Sequence, residues 1–124
     1  VDFDRPLLPA YPYAVWQGAL HEAVVHLWPD VPLEEGYRRI GRRVVEGYRS
    51  TLLGKALLAM MRAVGPRRML ARMEQNLRSA DNHITVGFTQ LEPTRVQLDV
   101  NDCTDHPAYF EGLFQAAVFE VRWD

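Results

Sequence analysis

The sequence predicts an α+β domain in which a layer of N-terminal helices packs on a small antiparallel sheet. Three observations carry this. Apolar side chains recur at helical spacing from Val15 to Trp28 and again from Leu33 to Leu77. At Ser79-Ala80-Asp81-Asn82 the period switches from helical to alternating, with β-branched residues in the runs that follow. Helices gathered first and strands last describe a helical layer over one face of a sheet. The 124 residues, 48% of them hydrophobic, suffice for one core, so a single domain over 1–124 is expected.

Residues 1–13 read as an extended lead-in pinned by Pro6, Pro9 and Pro12. Val15, Trp16, Ala19, Leu20, Ala23, Val24, Leu27 and Trp28 then form a wide apolar stripe on a helix that Pro29 and Pro32 end. From Leu33 to Val64 the helical pattern is uninterrupted by proline. Its first half turns Tyr37, Ile40, Val44 and Tyr48 inward, and its second half, Leu52 to Met61, is apolar nearly all round, which predicts a segment enclosed on most sides. One straight helix of that length would run to about 48 Å, too long for this domain, so a break is expected between Gly47 and Thr51. Gly65-Pro66 supplies a glycine stop and a proline start for a helix with Met69, Leu70, Met73 and Leu77 facing in.

Ile84–Thr89 and Thr94–Val100 alternate as a hairpin turning through Gln90-Leu91-Glu92-Pro93. Asn101 to Pro107 is a polar loop, Tyr109 to Ala117 is helical, and Val118 to Trp123 is expected as a last strand.

Charge is unevenly placed. Between Arg38 and Arg78 lie eleven cations against two acids, a net of +9, and the rest of the chain carries -11 toward the total of -2. Glu34–Arg38, Glu35–Arg39 and Arg42–Glu46 stand four apart, as on a solvated helix face. No recognition motif accompanies the charge, which argues against nucleic acid as the partner. A basic helical face including Arg38, Arg42, Arg49, Arg67 and Arg68 is instead a candidate surface for an acidic protein partner or for a homodimer. Arg67 and Arg68 open a helix, where the dipole gives cations no advantage, so partners are expected at Asp81 or in the Asp99–Asp105 loop.

Few residues are arranged for chemistry. His21 and His26 lie five apart, about 140° around a helix, and do not make the i,i+4 zinc pair. Asp99, Asp102 and Asp105 lack the ligand density of a calcium loop. Cys103 precedes His106 without an orienting third group, and a lone cysteine fits a reducing, cytoplasmic compartment. No run is long enough to span a membrane, and the acidic, proline-punctuated start is not that of a signal peptide. The reading is therefore non-enzymatic: a binding, sensory or regulatory module without a metal. A hydrophobic pocket between helices and sheet is expected to take a small hydrophobic ligand, lined by Tyr48, Thr51, Leu52, Leu53, Leu57, Met60, Met61 and Met73.

Leu8-Pro9-Ala10-Tyr11-Pro12, Pro32-Leu33-Glu34-Glu35, Ile40-Gly41-Arg42, Gly47-Tyr48 with Thr51 and Gly54, Gly65-Pro66-Arg67-Arg68 and Arg78-Ser79-Ala80-Asp81-Asn82 together resemble one pattern. It is that of a family of uncharacterised proteins, a domain of unknown function expanded as paralogues in myxobacteria. The resemblance covers essentially the whole chain and implies no established activity. It implies a fold distantly similar to haem-NO-binding, vinyl-reductase-type and TRAPP-like domains, with an internal pocket for haem, small aromatic effectors or an acyl chain. It also opens a haem alternative. His21 would ligate iron, and Tyr48-Arg49-Ser50 would begin a Tyr-x-Ser-x-Arg propionate motif in which Leu52 replaces the arginine. In the family the helix at Glu111–Ala117 is followed by a strand and a turn before a last strand ending in tryptophan. Here Val118 to Trp123 follows at once, implying residues missing near Ala116–Val118, which would restore the last strand's hairpin partner, or else a shortened member.

Overall fold

The structure is a computed structural model that describes residues 2, 4–78, 83–101 and 106–122. Its elements are α1 (Tyr13–Leu27), α2 (Leu33–Arg49), α3 (Leu52–Val64), α4 (Pro66–Ala71), α5 (Met73–Arg78), β1 (Val86–Glu92), β2 (Arg95–Val100) and α6 (Pro107–Arg122). The α+β class read from the sequence is the one observed, mostly helical with a two-stranded antiparallel sheet.

Local chemistry sets the boundaries. Pro12 and Pro32 stand at the N-caps of α1 and α2, where their fixed φ suits the last extended residue before a helix. Glu34 and Glu35 occupy the first turn of α2 and complement its dipole. The expected break falls at Ser50 and Thr51. Thr51 is extended, its Oγ1 accepts from the Gly54 N–H at 2.9 Å, and its hydroxyl donates to the Tyr48 carbonyl at 2.8 Å. Tyr48, Thr51 and Gly54 thus form a helix joint, with the threonine capping α3. Gly65, at φ +85°, closes α3 in a conformation that L side chains resist, and Pro66 starts α4.

The core lies where α6 runs along α2. Gly41 rests on the backbone of Tyr109 and Leu113, and Gly112 rests on the backbone of Arg38, so the two helices approach until main chains touch. Tyr37, Val45, Tyr109, Phe110 and Leu113 fill the space beside that contact, with Val24 from α1 and Leu58 and Met61 from α3. In the sheet, Val86 pairs with Val100 and Phe88 with Leu98, with an irregularity between Gln90 and Glu92. Their apolar side chains share one face by the strand period of two, and α4 and α5 pack on β1 through Met69 and Met73.

Four expectations are corrected. The tract from Val118 is helical through Arg122, not a strand. A short alternation cannot outcompete a helix already formed against α2, which adds one hydrogen bond for each residue it gains. The single helix expected after Pro66 is two, interrupted at Arg72, with Met69 and Met73 buried as expected. The hairpin turns on Pro93 and Thr94, so Gln90, Leu91 and Glu92 belong to β1. Val44 is exposed, because the buried side of α2 runs through Tyr37, Gly41 and Val45, with Gly41 against α6, while Gly36 faces Val24 of α1.

Candidate functional site

The residues expected to line a pocket are divided by the turn of α3. Met61 and Met73 are buried in the core, and Tyr48 and Leu57 are half-buried. Thr51 is exposed at the helix joint, while Leu52, Leu53 and Met60 are 87%, 66% and 55% exposed. The enclosure expected for Leu52 to Met61 is therefore overturned. At about 100° per residue, the buried line of Gly54, Leu58 and Met61 lies opposite Leu52, Ala56, Ala59 and Ala63. Nothing in the described structure covers that opposite side, and Leu53 and Met60 widen it. The eight positions do not converge on one cavity.

The cations also divide. Those of α2 are answered within the fold. Arg38, 19% exposed in its side chain, bonds Glu35 at 2.6 Å, Glu34 at 3.1 Å and Glu111 of α6 at 3.1 Å. Arg39 reaches Glu35 at 3.4 Å, and Arg42 reaches Gln115 of α6 at 3.5 Å. Arg39 and Arg43 lie over the Trp28 ring at 5.8 and 6.0 Å, within cation–π range. Arg38 and Arg42, expected to meet a partner, instead tie α2 to α6.

The bond from Arg38 holds the Glu35 carboxyl below its ordinary value, and Arg39 adds to the effect, whereas Glu111 and Glu35 push the Arg38 guanidinium higher still. A carboxyl depressed in the folded state gives stability that is complete above its unfolded value of about 4.3. That stability drains as pH falls through the lower folded value. We expect melting temperatures that are level from about pH 7 to about pH 5 and decline below that. Glu35→Gln should show a shallower acid decline in calorimetry, and an unchanged decline would contradict this assignment.

From Arg49 to Arg72 the balance differs. This stretch holds six cations, Arg49, Lys55, Arg62, Arg67, Arg68 and Arg72, and no acid. Arg67 donates to the Pro93 carbonyl at 2.7 Å and has no ion-pair partner among the described residues; of the acids expected to answer it and Arg68, Asp99 instead accepts from Gln97, and Asp81, Asp102 and Asp105 lie outside the described residues. Lys55, Arg68 and Arg72 have no ion-pair partner among the described residues. The apolar outer side of α3 and this acid-free stretch adjoin in the chain. Gly47 and Gly54 hint at the joint in the sequence, but no signal there shows which side of α3 is covered.

His21, His83 and His106 meet tyrosines. His21 Nδ1 lies 3.3 Å from the Tyr37 hydroxyl, and His106 stacks on the Tyr37 ring at 3.7 Å and 8°. Tyr13 stacks between Trp16 and His83 at 5.2 and 4.3 Å, and Trp16 meets Tyr109 edge-on. Burial pushes the Tyr37 hydroxyl above the usual tyrosine value. These residues do not fit a haem. One His21 nitrogen is engaged by Tyr37, and the Ser50 hydroxyl donates to the Gly47 carbonyl at 2.7 Å. Leu52, at the expected arginine position, points to solvent. Cys103 lies outside the described residues, among which no group of three His, Cys, Asp or Glu is placed to hold a metal ion.

No curated protein and no solved structure matches the sequence. Residues 1–123 match the family described as Protein of unknown function (DUF2378). Pro32 and Glu34–Glu35 open α2, Tyr48, Thr51 and Gly54 build the joint, and Gly65-Pro66 separates α3 from α4. These positions thus serve architecture, and with a match across all but its final residue the chain belongs to the DUF2378 family.

Proposed function

We propose that this protein is a non-enzymatic interaction module that associates with an acidic surface through the outer side of α3 and the cations of α3 and α4. The supporting observation is the stretch from Arg49 to Arg72, six cations without an acid, beside an outward apolar stripe of Leu52, Ala56, Ala59 and Ala63. Lys55, Arg68 and Arg72, which have no ion-pair partner among the described residues, attract charge of the opposite sign and lose that attraction as salt screens it. The earlier candidates on α2, Arg38 and Arg42, already spend their charge on Glu34, Glu35 and Glu111 or lie against Gln115, so the docking surface moves one helix along the chain.

Immobilised poly-glutamate tests this. The full chain should be retained at about 0.1 M salt and released toward about 1 M, where the Debye length falls to about 3 Å. Lys55→Glu with Arg68→Glu should abolish most of the retention, while Arg43→Gln on α2 should leave most of it. Equal losses for the two changes would place the surface elsewhere.

A further inference from the structure

We propose that the acidic surface is an anionic lipid bilayer, with α3 lying along it as an interfacial helix; this rests on the docking face proposed above. α3 is about 20 Å long and carries two apolar sides. One packs into the fold through Gly54, Leu58 and Met61. The other runs from Leu52 through Ala56, Ala59 and Ala63, with Leu53 and Met60 beside it, all exposed. Lys55 and Arg62, seven residues apart, stand along one edge of that stripe at about 100° per residue. Lys55, which has no ion-pair partner among the described residues, can rest its stem on apolar surface from such an edge and reach headgroups with its charge. An apolar stripe edged by Lys and Arg is the composition of helices that lie in the bilayer interface.

Three observations select lipid over other acidic partners. Leu52 and Leu53 project from the first turn of α3, just after the corner at Ser50 and Thr51, and are the most exposed leucines among the described residues. Fluid hydrocarbon receives protruding side chains without a matching pocket, whereas a folded partner needs one. A second copy is a poor occupant: α3 has no acid, so apposing two of them brings Lys55 and Arg62 onto their own kind. Nucleic acid would use the cations and leave the leucines in water. No helix among the described residues is long and apolar enough to cross a membrane, so the contact is along the surface.

The test is co-sedimentation of the full chain with vesicles of phosphatidylcholine alone and of phosphatidylcholine with about 30 mol% phosphatidylglycerol. We expect at least about tenfold more protein on the anionic vesicles at low salt. Leu52→Asp with Leu53→Asp should lower the partition coefficient at least about tenfold, since both side chains leave the hydrocarbon. Lys55→Gln should lower it about fivefold, the share of one interfacial cation. All three changes are at exposed positions, and unchanged melting curves would show that the fold is intact. Equal binding to both vesicles, or undiminished binding by the leucine variant, overturns the proposal. Absence of vesicle binding with salt-sensitive retention on poly-glutamate overturns the lipid assignment alone and leaves the docking face standing. A dimer in light scattering that Leu52→Asp dissolves, or duplex DNA bound equally by wild type and the leucine variant, also overturns the lipid assignment.

Discussion

Replacing Gly112 with alanine is expected to destabilise the protein by about 3 kcal/mol, and Gly41→Ala by a similar amount. At Gly112 a Cβ would overlap the Arg38 carbonyl, and at Gly41 it would overlap the Tyr109 carbonyl and crowd the Leu113 N–H. These obstacles are main-chain atoms of the facing helix, which no rotamer change can move aside. The helices must separate, and that loosens Tyr37, Val45, Tyr109 and Leu113 around the contact. A loss of this size is a large part of the total stability of a domain and corresponds to a fall of about 10 °C or more in melting temperature. Gly47→Ala supplies the control. It lies on the same helix as Gly41 with nothing within 4 Å of the added Cβ, and alanine there should raise stability by about 0.5–1 kcal/mol. Because Gly41 and Gly112 serve one interface, the double variant should lose less than the sum of the two. Calorimetry of the four proteins decides it; a Gly112→Ala protein that melts with wild type would mean that α2 and α6 are not in main-chain contact.

Tyr37→Ala is expected to cost about 3–5 kcal/mol and Tyr37→Phe about 1 kcal/mol or less. The Tyr37 ring is 2% exposed and stacked on His106, so truncation leaves a cavity on the α2 side of the core and strands an imidazole. Phenylalanine keeps the ring and loses one hydrogen bond to His21, an exposed residue that water can satisfy. The alkaline limb separates the variants further. Burial raises the Tyr37 hydroxyl in the folded state, so its contribution is whole below the ordinary tyrosine value of about 10 and is lost as pH climbs through the higher folded value. Tyr37→Phe should melt with less alkaline decline than wild type. Denaturant titration at neutral and alkaline pH measures both effects, and equal losses for alanine and phenylalanine would mean that the hydroxyl, not ring packing, holds the site together.

Backbone punctuation was legible in the sequence. Pro12, Pro32, Gly65-Pro66 and the joint before Leu52 place helix ends by effects confined to a few residues, so they read correctly without knowledge of neighbours. The α+β order was legible for the same reason. What failed depended on which elements meet. An all-apolar helix such as α3 does not announce which side is covered, and only the positions of α1, α2 and α6 decide that Leu58 is inside and Leu52 outside. The end of α6 reads locally as a strand because its alternation is short, while the helix it extends is anchored at Glu111 and Gln115 by residues some seventy positions earlier. The two glycines at that contact carried no sequence signal as a pair. Charge followed the same division. The pairs Glu34–Arg38 and Glu35–Arg39 on α2 could be read from the sequence, whereas Glu46, expected on Arg42, reaches Arg43 instead; Arg38 to Glu111 could not be read, and without it α2 looked like the open face.

The pairing of α2 with α6 also governs the order in which the chain can mature on the ribosome. Arg38 and Glu111 are 73 residues apart, and at about 5–20 residues per second the second is made several seconds after the first. For most of that interval Tyr37 and Val45 have been made without the helix that later covers them. The nascent protein therefore carries a sticky half-finished surface for longer than a small helical domain takes to fold, until α6 arrives to close it.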